Sequence, residues 1–146
     1  MTRDSRLARR LLGSLGAAAL LGAAAVAHAA GALPALSTLE PGLWQVRELG
    51  PGRHKPPVRL CIADTAMLMQ LQHRSAPCSR TVIASAATSA TVHYTCPANG
   101  FGRTSVRVET PKLAKIDTQG IMDNAPFAFR AEARHVGSCP NTNARR

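Results

Sequence analysis

The stretch CSRTVIASAATSATVHYTC, Cys78–Cys96, decides the fold, because two cysteines enclose a run of β-branched and small polar residues. If Ala87 lies at the centre of a turn, residues equally distant from it face each other across a hairpin. The facing pairs are then Cys78 with Cys96, Arg80 with Tyr94, Val82 with Val92, Ser79 with Thr95, Thr81 with His93, and Ile83 with Thr91. One face carries the cysteines and valines, and the other is mostly polar, as in a half-buried antiparallel ribbon. The pattern predicts a disulfide between Cys78 and Cys96.

The remaining cysteines, Cys61 and Cys139, are predicted to form a second disulfide that ties an early strand to the last one. The chain has no C-x-x-C and no closely spaced histidine pair, so neither a zinc site nor a redox thiol motif is indicated. The histidines are scattered and predicted to lie at the surface or the rim of the fold: His54, His73, His93 and His135. We expect no metal, no cofactor and no catalytic residues.

Residues 1–29 have the pattern of a secretory signal peptide. Four arginines precede an apolar run, which ends at the small-residue triplet Ala27, His28 and Ala29. Cleavage after Ala29 would leave residues 30–146 as a single small domain in an oxidising compartment, where an even number of cysteines favours disulfides. We expect no lipid anchor, because no cysteine follows the cleavage site, and no transmembrane segment in the mature chain.

Strand patterns dominate the mature chain. They cover LWQVREL (43–49), VRLCI (58–62), the two halves of the hairpin, RTSVRVE (103–109), KLAKIDT (112–118) and FAFRAEARHV (127–136). ADTAMLMQLQHR is the one helical segment, capped by Asp64 and packing through Met67, Leu68 and Leu71. The expected fold is mainly β: an antiparallel meander of about seven strands, curled into a sandwich or partial barrel, with one short helix and two disulfides. Trp44, Phe127 and Phe129 are expected in its core.

The order of these features resembles an uncharacterised bacterial envelope family known as domain of unknown function 3617. The resemblance rests on PGLWQV, on LCIADTAM with its cysteine before a helix, on the cysteine-bracketed hairpin and on the terminal ARHVGSC, and it covers residues 40–139. The sequence departs from the family pattern after Cys61, where the family more often has a Thr-Pro-Glu-like helix start. The resemblance implies a periplasmic location and this shape, but no catalytic residues.

GLW (42–44) also resembles the G-x-W motif of lipocalin-like barrels, in which a late arginine packs over the tryptophan. Arg130 or Arg134 would take that position over Trp44. A carrier of an apolar ligand is therefore the alternative function, with Phe127, Phe129, Val106 and Val108 lining or filling its cavity. A hydrolase is a distant third, because there is no G-x-S-x-G and no obvious pair of carboxylates.

Charge is the remaining indication of function. Without the leader the chain keeps 14 basic and 7 acidic residues, a net charge of +7. The candidate basic surface comprises Arg47, Arg53, Lys55, Arg107, Lys112, Arg130 and Arg134. We expect an envelope-associated binding or structural module that meets anionic lipid phosphate or acidic polysaccharide. Nucleic acid is not an expected partner, because the few aromatic residues occupy core-facing positions.

Overall fold

The structure, a computed structural model, describes residues 33–51 and 55–140. The proposed signal peptide lies outside the described residues. The strands are β1 (Gly42–Leu49), β2 (Val58–Ile62), β3 (Ser79–Ser85), β4 (Ser89–Cys96), β5 (Gly100–Thr110), β6 (Leu113–Met122) and β7 (Ala125–Gly137). The helical elements are α1 (Pro34–Ser37) and a 3₁₀ helix (Thr65–His73). No helix in this part of the chain is long and apolar enough to cross a membrane.

All seven strands form one antiparallel sheet in the order β2-β1-β7-β6-β5-β4-β3. Strands β3 to β7 follow one another as a meander, and the β1–β2 hairpin pairs with the far side of β7. The predicted mainly β, antiparallel fold of seven strands with two disulfides is confirmed. The sheet is open, because β2 and β3 are its outer strands and do not pair with each other.

The predicted hairpin is confirmed for most of its length. Arg80 is paired with Tyr94 and Val82 with Val92, and the Cys78–Cys96 disulfide joins residues with Cα atoms 4.1 Å apart. The predicted pairing of Ile83 with Thr91 is wrong. A β-bulge after Val82 leaves Ile83 without an opposite residue and pairs Ala84 with Thr91 instead. The second disulfide joins Cys61 to Cys139, as predicted, with Cα atoms 5.3 Å apart.

One surface of the sheet, the core face, is apolar and covered by the two helical elements. Across β4, β5, β6 and β7 it carries a row of buried side chains: Ala90, Val106, Ile116 and Ala131. Leu36 of α1 and Leu68 of the 3₁₀ helix are also buried in this core. Tyr94 packs over Gly102, where a β-carbon would overlap its ring, so the glycine lets a large side chain lie flat on the strand.

The helical segment differs from the prediction in form. Asp64 caps it, as predicted, by accepting a hydrogen bond of 2.9 Å from the backbone N–H of Ala66. The segment is 3₁₀ rather than α-helical and is kinked at Gln70, whose φ of −138° is not helical. Leu68 and Leu71 are buried, whereas Met67 is half-buried. A 3₁₀ helix repeats every three residues, so residues three apart share the packed side.

Candidate functional site

The opposite surface of the sheet, here called the basic face, carries most of the positive charge. Because side chains alternate along a strand and opposed residues point the same way, the pairing register fixes which side chains share this face. Seven of the eleven arginines and lysines among the described residues lie on it: Arg47, Arg59, Arg103, Arg107, Lys115, Arg130 and Arg134. The pairing register places two carboxylates on the same face, Asp117 and Glu132, and a third, Glu109 of β5, is ion-paired with Arg107 of this face.

A buried carboxylate lies in the middle of this face. Glu132 is 5% exposed and contacts three cations. Its carboxylate accepts hydrogen bonds from Lys115 Nζ at 2.5 Å, Arg134 Nε at 2.6 Å and Arg47 Nη2 at 3.3 Å. The hydrogen bonds from Lys115 and Arg134 are the main cause that lowers the pKa of Glu132 to about 2. The carboxylate therefore stays charged and neutralises part of the surrounding positive charge.

Replacing this carboxylate should destabilise the protein in a pH-dependent way. The pKa of Glu132 is lowered from 4.5 to about 2 on folding, so its contribution is present above about pH 4.5 and is lost as the pH falls towards 2. The full pKa difference corresponds to about 3 kcal/mol, and because the partner cations are exposed to screening water, we expect Glu132→Gln to cost about 1 to 2 kcal/mol near neutral pH. Urea titrations at neutral pH and near pH 2 measure this. An undiminished difference at the acidic pH would contradict the assignment.

Three cations of the basic face have no carboxylate partner. Within residues 33–51 and 55–140, no ion pair involves Arg59, Arg103 or Arg130. Arg107 is paired with Glu109 at 2.6 Å, yet its side chain remains 67% exposed. An unpaired guanidinium keeps its donors for phosphate or carboxylate groups of a partner. The unpaired arginines are therefore the side chains on this face most available to an anion.

An open groove crosses the basic face over β4, β5 and β6 and continues to β7. Its volume is about 420 Å³, and Arg107, Lys115 and Arg130 are among its lining residues. Asp117 also lines it, and the hydroxyls of Thr91 and Ser105, at the same groove, are 2.8 Å apart. The combination of cations with hydroxyl groups and one carboxylate suits a polar anionic group that also carries hydroxyls.

The structure brings together four of the predicted basic residues and separates the others. Arg47, Arg107, Arg130 and Arg134 all lie on the basic face. Lys55 is paired with Glu48 at 3.3 Å and Lys112 with Glu40 at 3.5 Å, and neither belongs to this face. Arg53 lies outside the described residues. Arg59, Arg103 and Lys115 were not among the predicted basic residues, although each occupies a position that alternates with an inward-facing residue of a predicted strand.

Of the three aromatic residues predicted in the core, one is fully buried and two are half-buried. Trp44 is completely buried, and its indole N–H donates to the carbonyl oxygen of Glu40 at 3.0 Å. Phe127 and Phe129 are half-buried. Phe129 lines an open pocket of about 130 Å³, whose lining also includes Glu48, Lys55 and Arg74 and which is smaller than typical ligand cavities of about 300 to 1,000 Å³.

The lipocalin-like expectation that Arg130 or Arg134 packs over Trp44 is wrong. Arg130 and Arg134 alternate with the inward-facing residues of β7 and therefore lie on the basic face. Trp44 is instead aligned with His135, whose ring lies edge-on to the indole with centroids 5.6 Å apart. The lipocalin-like feature is thus replaced by a Trp–His contact on the core face.

His73 is buried rather than at the rim, contrary to the sequence-based expectation. It is 2% exposed and its Nε2 is 2.9 Å from the carbonyl oxygen of Asn99, so this nitrogen carries the proton and donates it. Nδ1 is 3.2 Å from the hydroxyl of Tyr94 and forms a second hydrogen bond with it. Burial raises the pKa of Tyr94. The pair is enclosed in the core, which indicates a structural role.

The described residues also contain no group of three or more His, Cys, Asp or Glu side chains placed to hold a metal ion. In comparisons with known proteins, no family model, curated protein or solved structure matches the chain.

Proposed function

We propose that this protein is an exported, non-enzymatic envelope module whose basic face binds anionic envelope components, either lipid phosphate or acidic polysaccharide. The observation that carries the proposal is the concentration of seven cationic side chains on one face of the sheet, with Glu132 buried among them. The core face is covered by helices, and among the strand residues that the structure describes it carries one cation, Arg80.

Export is supported by the leader and the cysteines. Residues 1–29 have the n-region, apolar run and small-residue end of a signal peptide, and all four cysteines are paired in disulfides. The resemblance to domain of unknown function 3617 is consistent with a periplasmic location and remains a prediction.

The geometry of the face makes its charges act together. Neighbouring strands are about 4.8 Å apart, which is less than the Debye length of ~8 Å at physiological ionic strength. Arg107, Lys115 and Arg47 lie in one row across β5, β6 and β1, with Glu132 of β7 between the last two. The potentials of such cations add over the surface and attract an extended polyanion more strongly than isolated charges would.

Removing the three unpaired arginines should weaken binding strongly. A cation near an anionic surface contributes about 1 kcal/mol, so the triple variant Arg59→Gln, Arg103→Gln, Arg130→Gln should lose about 100-fold in affinity. Glu132→Gln should act in the opposite direction, because it leaves three cations without their carboxylate. Sedimentation with phosphatidylglycerol-containing vesicles and titration with polygalacturonate at low salt measure both effects.

The matched control removes the same net charge elsewhere. Lys55→Gln, Arg74→Gln, Lys112→Gln changes three exposed cations that lie outside the basic face. This control should retain most of the binding, since only the general charge has changed. Equal losses for the two triple variants, or wild-type protein that binds neither anionic probe at low salt, would refute a role for the face.

A further inference from the structure

One end of the basic face is apolar rather than charged. Thr95, Phe101, Ile121 and Pro126 form a row across β4, β5, β6 and β7. Phe101 is 46% exposed and is the one exposed aromatic side chain among the described residues. Ile121 beside it is half-buried. Phe101, Ile121 and Pro126 are here called the apolar row. Their side chains expose apolar surface to water.

The next row of the same face contains an arginine. His93, Arg103 and Gln119 lie side by side on β4, β5 and β6. The ring of His93 is 5.9 Å from that of Phe101 between centroids, and an open groove of about 340 Å³ is lined by both residues together with Arg103 and Ile121. Apolar side chains and an unpaired guanidinium therefore share one groove.

We propose that the protein docks on an anionic lipid bilayer with the apolar row inserted at the boundary between headgroups and acyl chains. The cations of the basic face then bind the lipid phosphates, and Arg103 lies at the depth of the headgroups. This inference rests on the proposed function and selects lipid as the partner. A bilayer offers both the negative charge that complements the face and an apolar phase for Phe101, whereas an acidic polysaccharide offers no such phase.

The neighbouring turn opposes this docking to a limited extent. Asp123 lies in the exposed turn between β6 and β7, near the same end of the sheet. A single exposed carboxylate is repelled by anionic phosphates, but it is outnumbered by the cations of the face. We therefore expect Asp123 to limit how deeply the apolar row enters.

The test compares two exposed hydrophobic side chains. Phe101→Ser removes the anchor, and Val58→Ser removes a side chain of similar exposure, 51%, that is paired with Val46 on the other face of the sheet. Partitioning is measured with mixed phosphatidylcholine and phosphatidylglycerol vesicles, and polygalacturonate serves as the lipid-free polyanion. We expect Phe101→Ser to reduce vesicle binding about 10-fold and to leave polygalacturonate binding unchanged, while Val58→Ser changes neither.

Insertion itself can be observed with a fluorescent side chain. Phe101→Trp should show a blue-shifted emission and quenching by brominated acyl chains, in contrast to the wild type, whose Trp44 is buried. Polygalacturonate binding without vesicle binding, equal losses for both serine variants, or an unquenched Trp at position 101 would overturn the docking while leaving the proposed anion binding intact. Wild-type protein that binds neither probe would refute both.

Discussion

Reduction of both disulfides is expected to unfold the protein or leave it marginally folded. The loops closed by Cys78–Cys96 and Cys61–Cys139 have sequence separations of 18 and 78 residues. In the loop-entropy description these crosslinks stabilise the fold by about 3 and about 4 to 5 kcal/mol. Together they approach the whole stability of a typical small domain, ~5 to 15 kcal/mol. Unfolding in urea with and without a phosphine reductant measures the loss.

The two crosslinks can be separated by paired substitutions. Cys61→Ala with Cys139→Ala should cost more than Cys78→Ala with Cys96→Ala, because the loop released is longer. Non-reducing peptide mapping of protein purified from its native cells checks the pairing, and the same map reports the N-terminus, which the export proposal places near Ala30. A bridge between Cys61 and Cys78, or an unchanged unfolding midpoint after reduction, would contradict these assignments.

Trp44→Ala should be the most damaging single substitution at an aromatic position, with a loss of about 3 to 5 kcal/mol. The side chain is completely inaccessible to solvent, donates to the carbonyl oxygen of Glu40 and contacts the ring of His135. Its removal leaves a large cavity on the core face and an unsatisfied carbonyl where α1 leads into β1.

The matched control for this cavity is an exposed aromatic residue. Phe101→Ala removes a ring that is about half exposed and should change the free energy of unfolding by less than about 0.5 kcal/mol. Urea titration of the two variants gives the comparison. If Trp44→Ala were as stable as the wild type but had lost a bound molecule, Trp44 would belong to a ligand site and the carrier hypothesis would be favoured.

Local patterns in the sequence were sufficient for the β3–β4 hairpin but not for its bulge. Alternation placed Val82 opposite Val92 and predicted the disulfide beyond them. The bulge that leaves Ile83 unpaired has no glycine or proline to mark it, and its two-against-one geometry depends on the twist of the assembled strands. The periodicity of the helical segment could not distinguish an α-helix from a kinked 3₁₀ helix either, because the spacing of Leu68 and Leu71 fits both.

The site could be predicted only in part, because it depends on pairing between strands that are far apart in the sequence. Alternation alone could have placed Arg59 and Lys115 on polar faces of their strands, since each lies between apolar residues, whereas Arg103 lies between Gly102 and Thr104. The cluster around Glu132, however, requires β1 and β6 to flank β7 in one register, so that Arg47 and Lys115 reach the same carboxylate. No local pattern specifies that neighbourhood, and the three cations around Glu132 could therefore not be predicted.

The open sheet and its disulfides together bear on aggregation. Each outer strand has one neighbour, and its other edge presents unpaired backbone groups that can template pairing with another chain. The disulfides act on these same two strands: Cys61 belongs to β2, and Cys78 immediately precedes β3. In the oxidised protein both edges are held against fraying. A chain that remains reduced has no such restraint, so its outer strands can detach and recruit other copies, which makes oxidation a safeguard of solubility as well as of stability.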